Sequence, residues 1–351
     1  MTQKQPVAVL AATGAVGQRF VSLLEDHPWF EVTVVTGSER TVGRRYGEAV
    51  NWVVPGEIPA TVRDLIVQPT TPEALRGVKL VFSALPTAIA REVEPVLAAA
   101  GYAVCSNASA YRMEEDVPLL IPEINPEHVR LIDVQRERRG WDGLIVTCPN
   151  CATTSIIFPM KALQDAFGLR QVHTVTMQAI SGAGYPGVSS FDILDNIVPY
   201  IGGEEEKIET ESRKLLGTLT NGHVTPAEVV VSAQVHRVPV MDGHLGALSA
   251  GLIKHADIDT VKEALRHWHP PEEVAGLPSA PPQALILRDE PDRPQPRRDR
   301  DAGRGMAVTV GRVQPCPVFD VKLVSLAHNT IRGAAGGAIL NAEWLVAEGY
   351  I

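Results

Sequence analysis

No stretch of this chain is dominated by lysine and arginine, and its formal charge is -9. A nucleic acid or an acidic membrane surface is therefore a poor match as the main partner, since both select clustered positive charge. No apolar segment of spanning length occurs, and the amino terminus, Met1-Thr2-Gln3-Lys4-Gln5-Pro6, enters a strand-like run without an apolar signal segment. Neither membrane insertion nor export is expected. Cysteine is scarce: Cys105, Cys148, Cys151 and Cys316 do not make a disulfide framework in a chain of 351 residues, and a reducing cytoplasm is the expected setting. A second Cys-x-x-Cys and paired histidines at finger spacing are both missing, which argues against zinc. Internal repeats are missing too.

What the chain does have is length and apolar content, 45% of its residues, for two packed domains. A strand is predicted over residues 7–12, then Thr13-Gly14-Ala15-Val16-Gly17-Gln18 and an amphipathic helix through Leu24. Strand, tight glycine turn and helix are how a doubly wound fold brings backbone N–H groups and a helix N-terminus to a dinucleotide pyrophosphate. A second strand, residues 31–36, runs into Gly37-Ser38-Glu39-Arg40. Thr36 and Gly37 stand where an NAD site usually carries an acid for the ribose, and Ser38 and Arg40 lie just beyond, a chemistry suited to the 2′-phosphate of NADP. A strand over 78–85, a helix over 88–100 and a strand over 102–106 continue the alternation, so a parallel sheet is expected in the first 150 residues.

The chain is organised around Thr147-Cys148-Pro149-Asn150-Cys151-Ala152-Thr153-Thr154-Ser155, between an apolar run at 144–146 and a helix-like run beginning near Ala152. A cysteine at that junction faces the positive end of a helix, where unsatisfied N–H groups favour the thiolate. The same N–H groups, with the Asn150 side chain, are a candidate oxyanion site. Two plainer readings stay open here: Cys151 as a small buried hydrophobe, and Cys148-x-x-Cys151 as a redox dithiol.

Beyond this helix the pattern changes. Residues 172–180 alternate as a half-buried strand and end in Ser181-Gly182-Ala183-Gly184; 204–216 reads as a helix with Glu211 and Lys214 on one face. Strands are predicted at 229–238, 245–253, 306–313 and 318–326, with a helix over 259–267, giving a mixed sheet with helices on one face. Residues 278–304, rich in proline and in charges of both signs, read as a solvated loop or a subunit contact. Asn329 to Gly337 opens a last helix, small on one side, that returns to the first domain.

Ala12-Thr13-Gly14-Ala15-Val16-Gly17, Ser106-Asn107-Ala108-Ser109-Ala110-Tyr111-Arg112, Pro149-Asn150-Cys151, Gln178-Ala179-Ile180-Ser181-Gly182-Ala183-Gly184 and Arg237-Val238-Pro239-Val240-Met241-Asp242-Gly243-His244 occur in that order. Together they resemble the aspartate-β-semialdehyde dehydrogenase family. His328-Asn329-Thr330-Ile331-Arg332-Gly333-Ala334-Ala335-Gly336-Gly337 resembles its archaeal and fungal branch. The likeness runs nearly end to end. Its main departure is Ala11 at the first glycine of the nucleotide fingerprint, which bears on how closely the turn meets the pyrophosphate and not on the fold.

The resemblance implies an α/β chain: a Rossmann-type NADP-binding domain over 1–150, completed by 329–351, and an α+β catalytic and dimerisation domain over 151–328. It implies NADPH-dependent reduction of L-aspartyl 4-phosphate to L-aspartate 4-semialdehyde, a step of lysine, threonine, methionine and isoleucine biosynthesis. Cys151 forms the thioester, with Asn150 beside it, and His244 is the general acid/base. Gln178 orients the acyl group, Arg237 takes the α-carboxylate, Glu211 the α-ammonium, and Arg112 with Lys214 the phosphate. Thr13, Gly14, Ala15, Val16, Gly17, Ser38, Arg40, Ser181, Gly182 and Asn329 are implied for the NADP site. No metal is expected, and a homodimer or homotetramer is. Two other readings remain: a relative that reduces a coenzyme A thioester such as malonyl-CoA, or N-acetylglutamyl phosphate, and a non-catalytic NADP-binding or redox protein using Cys148 and Cys151.

Overall fold

A computed structural model describes residues 4–351; Met1, Thr2 and Gln3, the head of the amino-terminal stretch read above, lie outside the described residues. Five strands form a parallel sheet: β1 (Gln5–Leu10), β2 (Phe30–Val35), β3 (Leu80–Ser83), β4 (Ala103–Ser106) and β5 (Leu144–Thr147), in the order β2-β1-β3-β4-β5. The last three are buried at every position, so they read as unbroken apolar runs and do not alternate. On β1, Val7 and Val9 face a core shared with α1 (Ala15–Leu23), whereas Ala8 and Leu10 face a second core shared with α2 (Thr87–Ala99). Helices on both faces make the sheet doubly wound. The strand order reverses between β1 and β3, which opens a crevice at the carboxyl ends of those strands.

The second sheet is mixed. Helices α4 (Cys151–Phe167), α5 (Glu204–Leu215) and α6 (Ile258–His267) cover one face of β6 (Leu169–Gln178), β7 (Val230–Arg237), β8 (His244–Leu252), β9 (Leu285–Leu287), β10 (Val308–Pro315) and β11 (Val321–Ala327). Helix α3 (Leu131–Arg139) belongs to the first sheet, against β5. The order is β9-β10-β11-β8-β6-β7, parallel at both edges and antiparallel between. On the uncovered face His173, Val175, Met177, Leu245, Ala247 and Val324 are half-buried. Along β6 the covered face turns polar toward one end, through Thr174 and Thr176 to Gln178, all buried.

One expectation changes. Residues 278–304 are more than a solvated loop: they supply the edge strand β9, and Asp299, 1% exposed, accepts from Arg293 Nε at 2.7 Å and from the Gln295 backbone at 2.6 Å. A buried carboxylate paired this way holds the segment down, and the balance of charges that suggested solvation serves that pairing. The last helix, α7 (Gly336–Ala347), follows a π-helical turn at Ile331–Ala335 and packs on α1, β3 and β4.

Candidate active site

Strand register assembles the site. Gln178 and Arg237 sit side by side at the ends of the parallel pair β6 and β7, and His244 opens β8, next to the antiparallel pair Leu245 and Met177. These ends converge on the first residue of α4, Cys151. Asn150 caps that helix: its Oδ1 accepts from the N–H groups of Ala152 (2.8 Å) and Thr153 (3.3 Å), and its Nδ2 donates to both carboxylate oxygens of Glu204 (2.9 and 2.8 Å). Both ends of the amide are therefore engaged. Asn150 fixes where α4 starts; because a single carboxylate takes both Nδ2 contacts from one direction, the amide keeps its second N–H.

The Cys151 sulphur lies 3.2 Å from His244 Nε2, and His244 Nδ1 accepts the backbone N–H of Ala179 at 3.1 Å. A neutral imidazole with Nδ1 as acceptor carries its proton on Nε2, facing the sulphur. Desolvation pushes the Cys151 thiol up to about 12, Glu204 adds to the shift, and Arg112 and Arg237 pull against it. Desolvation, then Arg237 and His328, push His244 down to about 3. The resting pair is thus thiol and neutral imidazole, not the thiolate expected from the helix terminus. Desolvation of the sulphur works against the pull of the helix terminus and raises the thiol.

Arg237, 7% exposed, donates Nη1 to the Ala179 carbonyl at 2.7 Å. A Cβ built on Gly182 would stand 2.8 Å from that Nη1 and 3.0 Å from His244 Nε2, so only glycine lets this turn close over the pair. Gln178 is buried, with its amide on Thr176 Oγ1 at 3.3 Å.

The predicted anion and ammonium partners are arranged differently from expectation. Glu211, 1% exposed, spends one oxygen on Arg112 Nη1 (2.9 Å) and the other on the Asn150 N–H (2.5 Å). Lys214 donates all three protons to carbonyls, of Arg112 (2.8 Å), Glu114 (2.7 Å) and Val117 (2.9 Å). With no valence free, Lys214 anchors the loop that carries Arg112, and Glu211 aims Arg112 and Asn150. A second pair of the same Glu-x-x-Lys spacing stands on the same helix. Glu204 and Lys207, joined at 3.0 Å, sit one to two turns earlier; Glu204 acts electrostatically on both Cys151 and Arg237, and Lys207 keeps a 36% exposed side chain.

At the crevice of the first sheet, Thr13 and Gly14 form the turn and Ala15, Val16 and Gly17 open α1. A Cβ on Gly17 would meet the Ala11 carbonyl at 2.3 Å, the close helix-to-strand packing that a dinucleotide turn requires. Ala11 itself has φ +51, the left-handed conformation usually left to glycine, so the alanine preserves the turn at a conformational cost. Ser38 and Arg40 are exposed just past β2, and no acidic side chain lies between them and Val35 except Glu39. Between α1 and the turn at Ile180–Ala183 runs a cleft of about 690 Å³ lined by Ala15, Arg19, Ser181, Met241, Asp242 and Thr330. Asn329 Nδ2 donates to Ser181 Oγ at 2.8 Å and its Oδ1 accepts from Gly243 N at 2.8 Å.

Cys148 takes no part in this arrangement. It is 4% exposed in the core of the first sheet, accepts from Asn341 Nδ2 at 3.3 Å, and forms no disulfide. Among the described residues no group of three or more metal-ligating side chains comes together and no helix is long and apolar enough to cross a membrane.

Comparison with known proteins gives the same picture. Residues 6–132 match the family model described as semialdehyde dehydrogenase, NAD binding domain, and residues 160–332 match semialdehyde dehydrogenase, dimerisation domain. The chain is 54% identical to an aspartate-semialdehyde dehydrogenase of Methanothermobacter thermautotrophicus, covering 96% of this chain and 97% of that one. It is 51% identical to the enzyme of that name from Archaeoglobus fulgidus, covering 98% and 99%. The crystal structure of aspartate semialdehyde dehydrogenase with NADP from Candida albicans superposes with a TM-score of 0.91 at 42% identity, covering 99% of this chain and all of that one. With a cysteine at a helix start, a histidine 3.2 Å from it, a dinucleotide turn and near-complete coverage by these relatives, the chain belongs to the aspartate-semialdehyde dehydrogenase family.

Proposed function

We propose that this protein is an NADP-dependent aspartate-semialdehyde dehydrogenase that converts L-aspartyl 4-phosphate to L-aspartate 4-semialdehyde, reversibly, in the cytoplasm. The observation that carries the reading is the contact of Cys151 with His244 at the start of α4, ringed by Arg112, Arg237 and the Glu204–Lys207 pair. Such a ring suits a small molecule bearing two anions and one ammonium. Arg237 takes the α-carboxylate, Glu204 the α-ammonium, and Arg112 with Lys207 the phosphate; Glu211 and Lys214 hold these groups in place.

Cys151 sulphur attacks the acyl carbon, the bond to the phosphate oxygen breaks, and phosphate leaves with the electron pair and takes up the proton that the thiol gives up. NADPH, held by the turn from Thr13 to Gly17 and by Ser38 and Arg40 at its adenosine end, supplies the hydride. His244 donates a hydrogen bond from its Nε2–H to the oxygen of the tetrahedral adduct; collapse of the adduct to the aldehyde breaks the carbon–sulphur bond, and the departing sulphur takes up a proton from solvent. The nucleotide domain spans 1–150 completed by 329–351, and the catalytic and dimerisation domain 151–328. The uncovered face of the mixed sheet is the surface on which copies associate, as a homodimer or homotetramer.

The test is the reverse reaction: aspartate semialdehyde, inorganic phosphate and NADP, followed by absorbance of NADPH, with phosphate omitted as control. Phosphate-dependent signal supports the reading. Its absence in a protein that binds NADP, together with turnover of malonyl-CoA or N-acetylglutamyl phosphate, replaces the substrate.

A further inference from the structure

The polar groups expected at the nicotinamide end of the cleft are satisfied by the protein itself, since Asn329 spends its amide on Ser181 and Gly243. Arg19 is not. It stands one turn beyond Ala15 on α1, lines the same 690 Å³ cleft as Ser181, Met241, Asp242 and Thr330, and is 8% exposed, yet its Nε is buried with no hydrogen-bond partner. Burial pulls its affinity for a proton down; Asp242 and then Asp301 act against that through space. A guanidinium is a rigid fork of five donors, and leaving one of them buried without an acceptor is unfavourable by itself.

The position of the fork says which acceptor fits. The adenosine end of the cofactor belongs at the exposed end of β2, with Ser38 and Arg40, and the reacting end must reach Cys151 and His244. Arg19 lines the cleft together with Asp242, two residues before His244, and with Ser181 of the turn that closes over Arg237 and His244, and it feels the Asp242 charge. We propose that Arg19 is a binding residue for the nicotinamide-nucleoside half of the dinucleotide, donating to its carboxamide oxygen or ribose hydroxyls. This rests on the NADP reading above. The free protein leaves the buried Nε–H of Arg19 without an acceptor, and ligand binding supplies one.

Calorimetric titration with NADP and with adenosine 2′,5′-bisphosphate, which lacks the nicotinamide half, separates the two ends of the site. Replacing Arg19→Met is expected to weaken NADP about 10- to 100-fold, the loss of one charged hydrogen bond, and to leave the bisphosphate within about twofold. Arg19→Lys, which keeps charge and loses the fork, falls between. The melting temperature of the ligand-free protein stays the same or rises in Arg19→Met, because no hydrogen bond is lost; a residue with a merely structural role would lower it. Equal loss for both ligands, no loss for NADP, or a lower ligand-free melting temperature overturns the proposal. Failure of the wild type to bind either ligand overturns the cofactor reading itself.

Discussion

His244 points a proton, not a lone pair, at Cys151: its Nδ1 is occupied by the Ala179 N–H, and Nε2 lies 3.2 Å from the sulphur. The two groups therefore divide the chemistry, sulphur as nucleophile and imidazole as donor. Cys151→Ser is expected to lower kcat by roughly 10⁴-fold or more, and His244→Gln by about 10²- to 10⁴-fold. Cys148→Ser, in a core position, keeps substantial turnover. Steady-state rates in the reverse assay check all three, and equal loss in Cys148→Ser and Cys151→Ser would revive the dithiol.

The neighbour that keeps the thiol protonated, after burial itself, is Glu204. An ammonium group docking on Glu204 would neutralise that influence, so substrate arrival activates the nucleophile. In the free enzyme, carboxamidomethylation of Cys151 by iodoacetamide should be slow at pH 7 and still climbing at pH 10. Glu204→Gln should accelerate it several-fold at fixed pH. Mass spectrometry of the labelled peptide measures both; a rate that levels off by pH 8 contradicts a resting thiol.

Lys207 and Lys214 lie two turns apart on α5 and should fail in opposite ways. Lys214→Met leaves three carbonyls without their donor and costs roughly 2–5 kcal/mol of stability. Lys207→Met, at a 36% exposed side chain, leaves stability within about 0.5 kcal/mol and raises KM for the phosphorylated substrate. Denaturant melts paired with kinetics distinguish them. Assignment of the phosphate to Lys214 predicts the reverse.

The nucleotide domain was legible because each of its local signals agrees with the others: unbroken apolar strands, a glycine turn, a helix after it. The meeting of Cys151 and His244 was legible because both lie at strand ends, one before a helix and one inside a motif of fixed spacing. Which of the two Glu-x-x-Lys pairs, Glu211–Lys214 or Glu204–Lys207, meets the substrate was not legible, because sequence spacing places residues on a helix face without saying which turn of the helix reaches the site. That depends on how α5 crosses β7 and α4, and the crossing is set by packing of Ile208 and Leu215. Arg19 gave no signal at all: a cation in an amphipathic helix looks solvated until the opposing loop at Met241 and Asp242 is brought over it.

Acid should destabilise the protein through two buried imidazoles. His244 is pushed down to about 3, and His328 to about 4, chiefly by burial. From pH 6.5 downward the unfolded chain protonates these rings and the folded one does not. Their stabilisation is therefore complete above 6.5 and is lost as pH falls toward 4 and 3, at up to about 1.4 kcal/mol per pH unit for each. Glu94, raised to about 6 by burial, works in the other direction below pH 6. A difference measurement isolates the histidine: His244→Gln should flatten the acid side of the Tm-versus-pH profile relative to wild type. Parallel profiles would mean that the ring is protonated in the folded protein.

Ala11 is the residue at which this chain departs from a glycine-rich turn, and its φ of +51 shows that the turn keeps the glycine conformation anyway. Two opposing quantities decide what Ala11→Gly would do. Relief of the left-handed conformation is worth ~1–2 kcal/mol for an alanine, and the added freedom of the unfolded chain takes back ~0.5–1 kcal/mol. The balance favours glycine by at most about 1 kcal/mol, with no change of path for the backbone that Gly17 approaches. Chemical denaturation should therefore show Ala11→Gly equal to or slightly more stable than wild type, and NADP affinity unchanged within about threefold. A clear loss of stability would mean that the Ala11 methyl, packed against the core of the first sheet on the α2 side, contributes more than its strained backbone takes away.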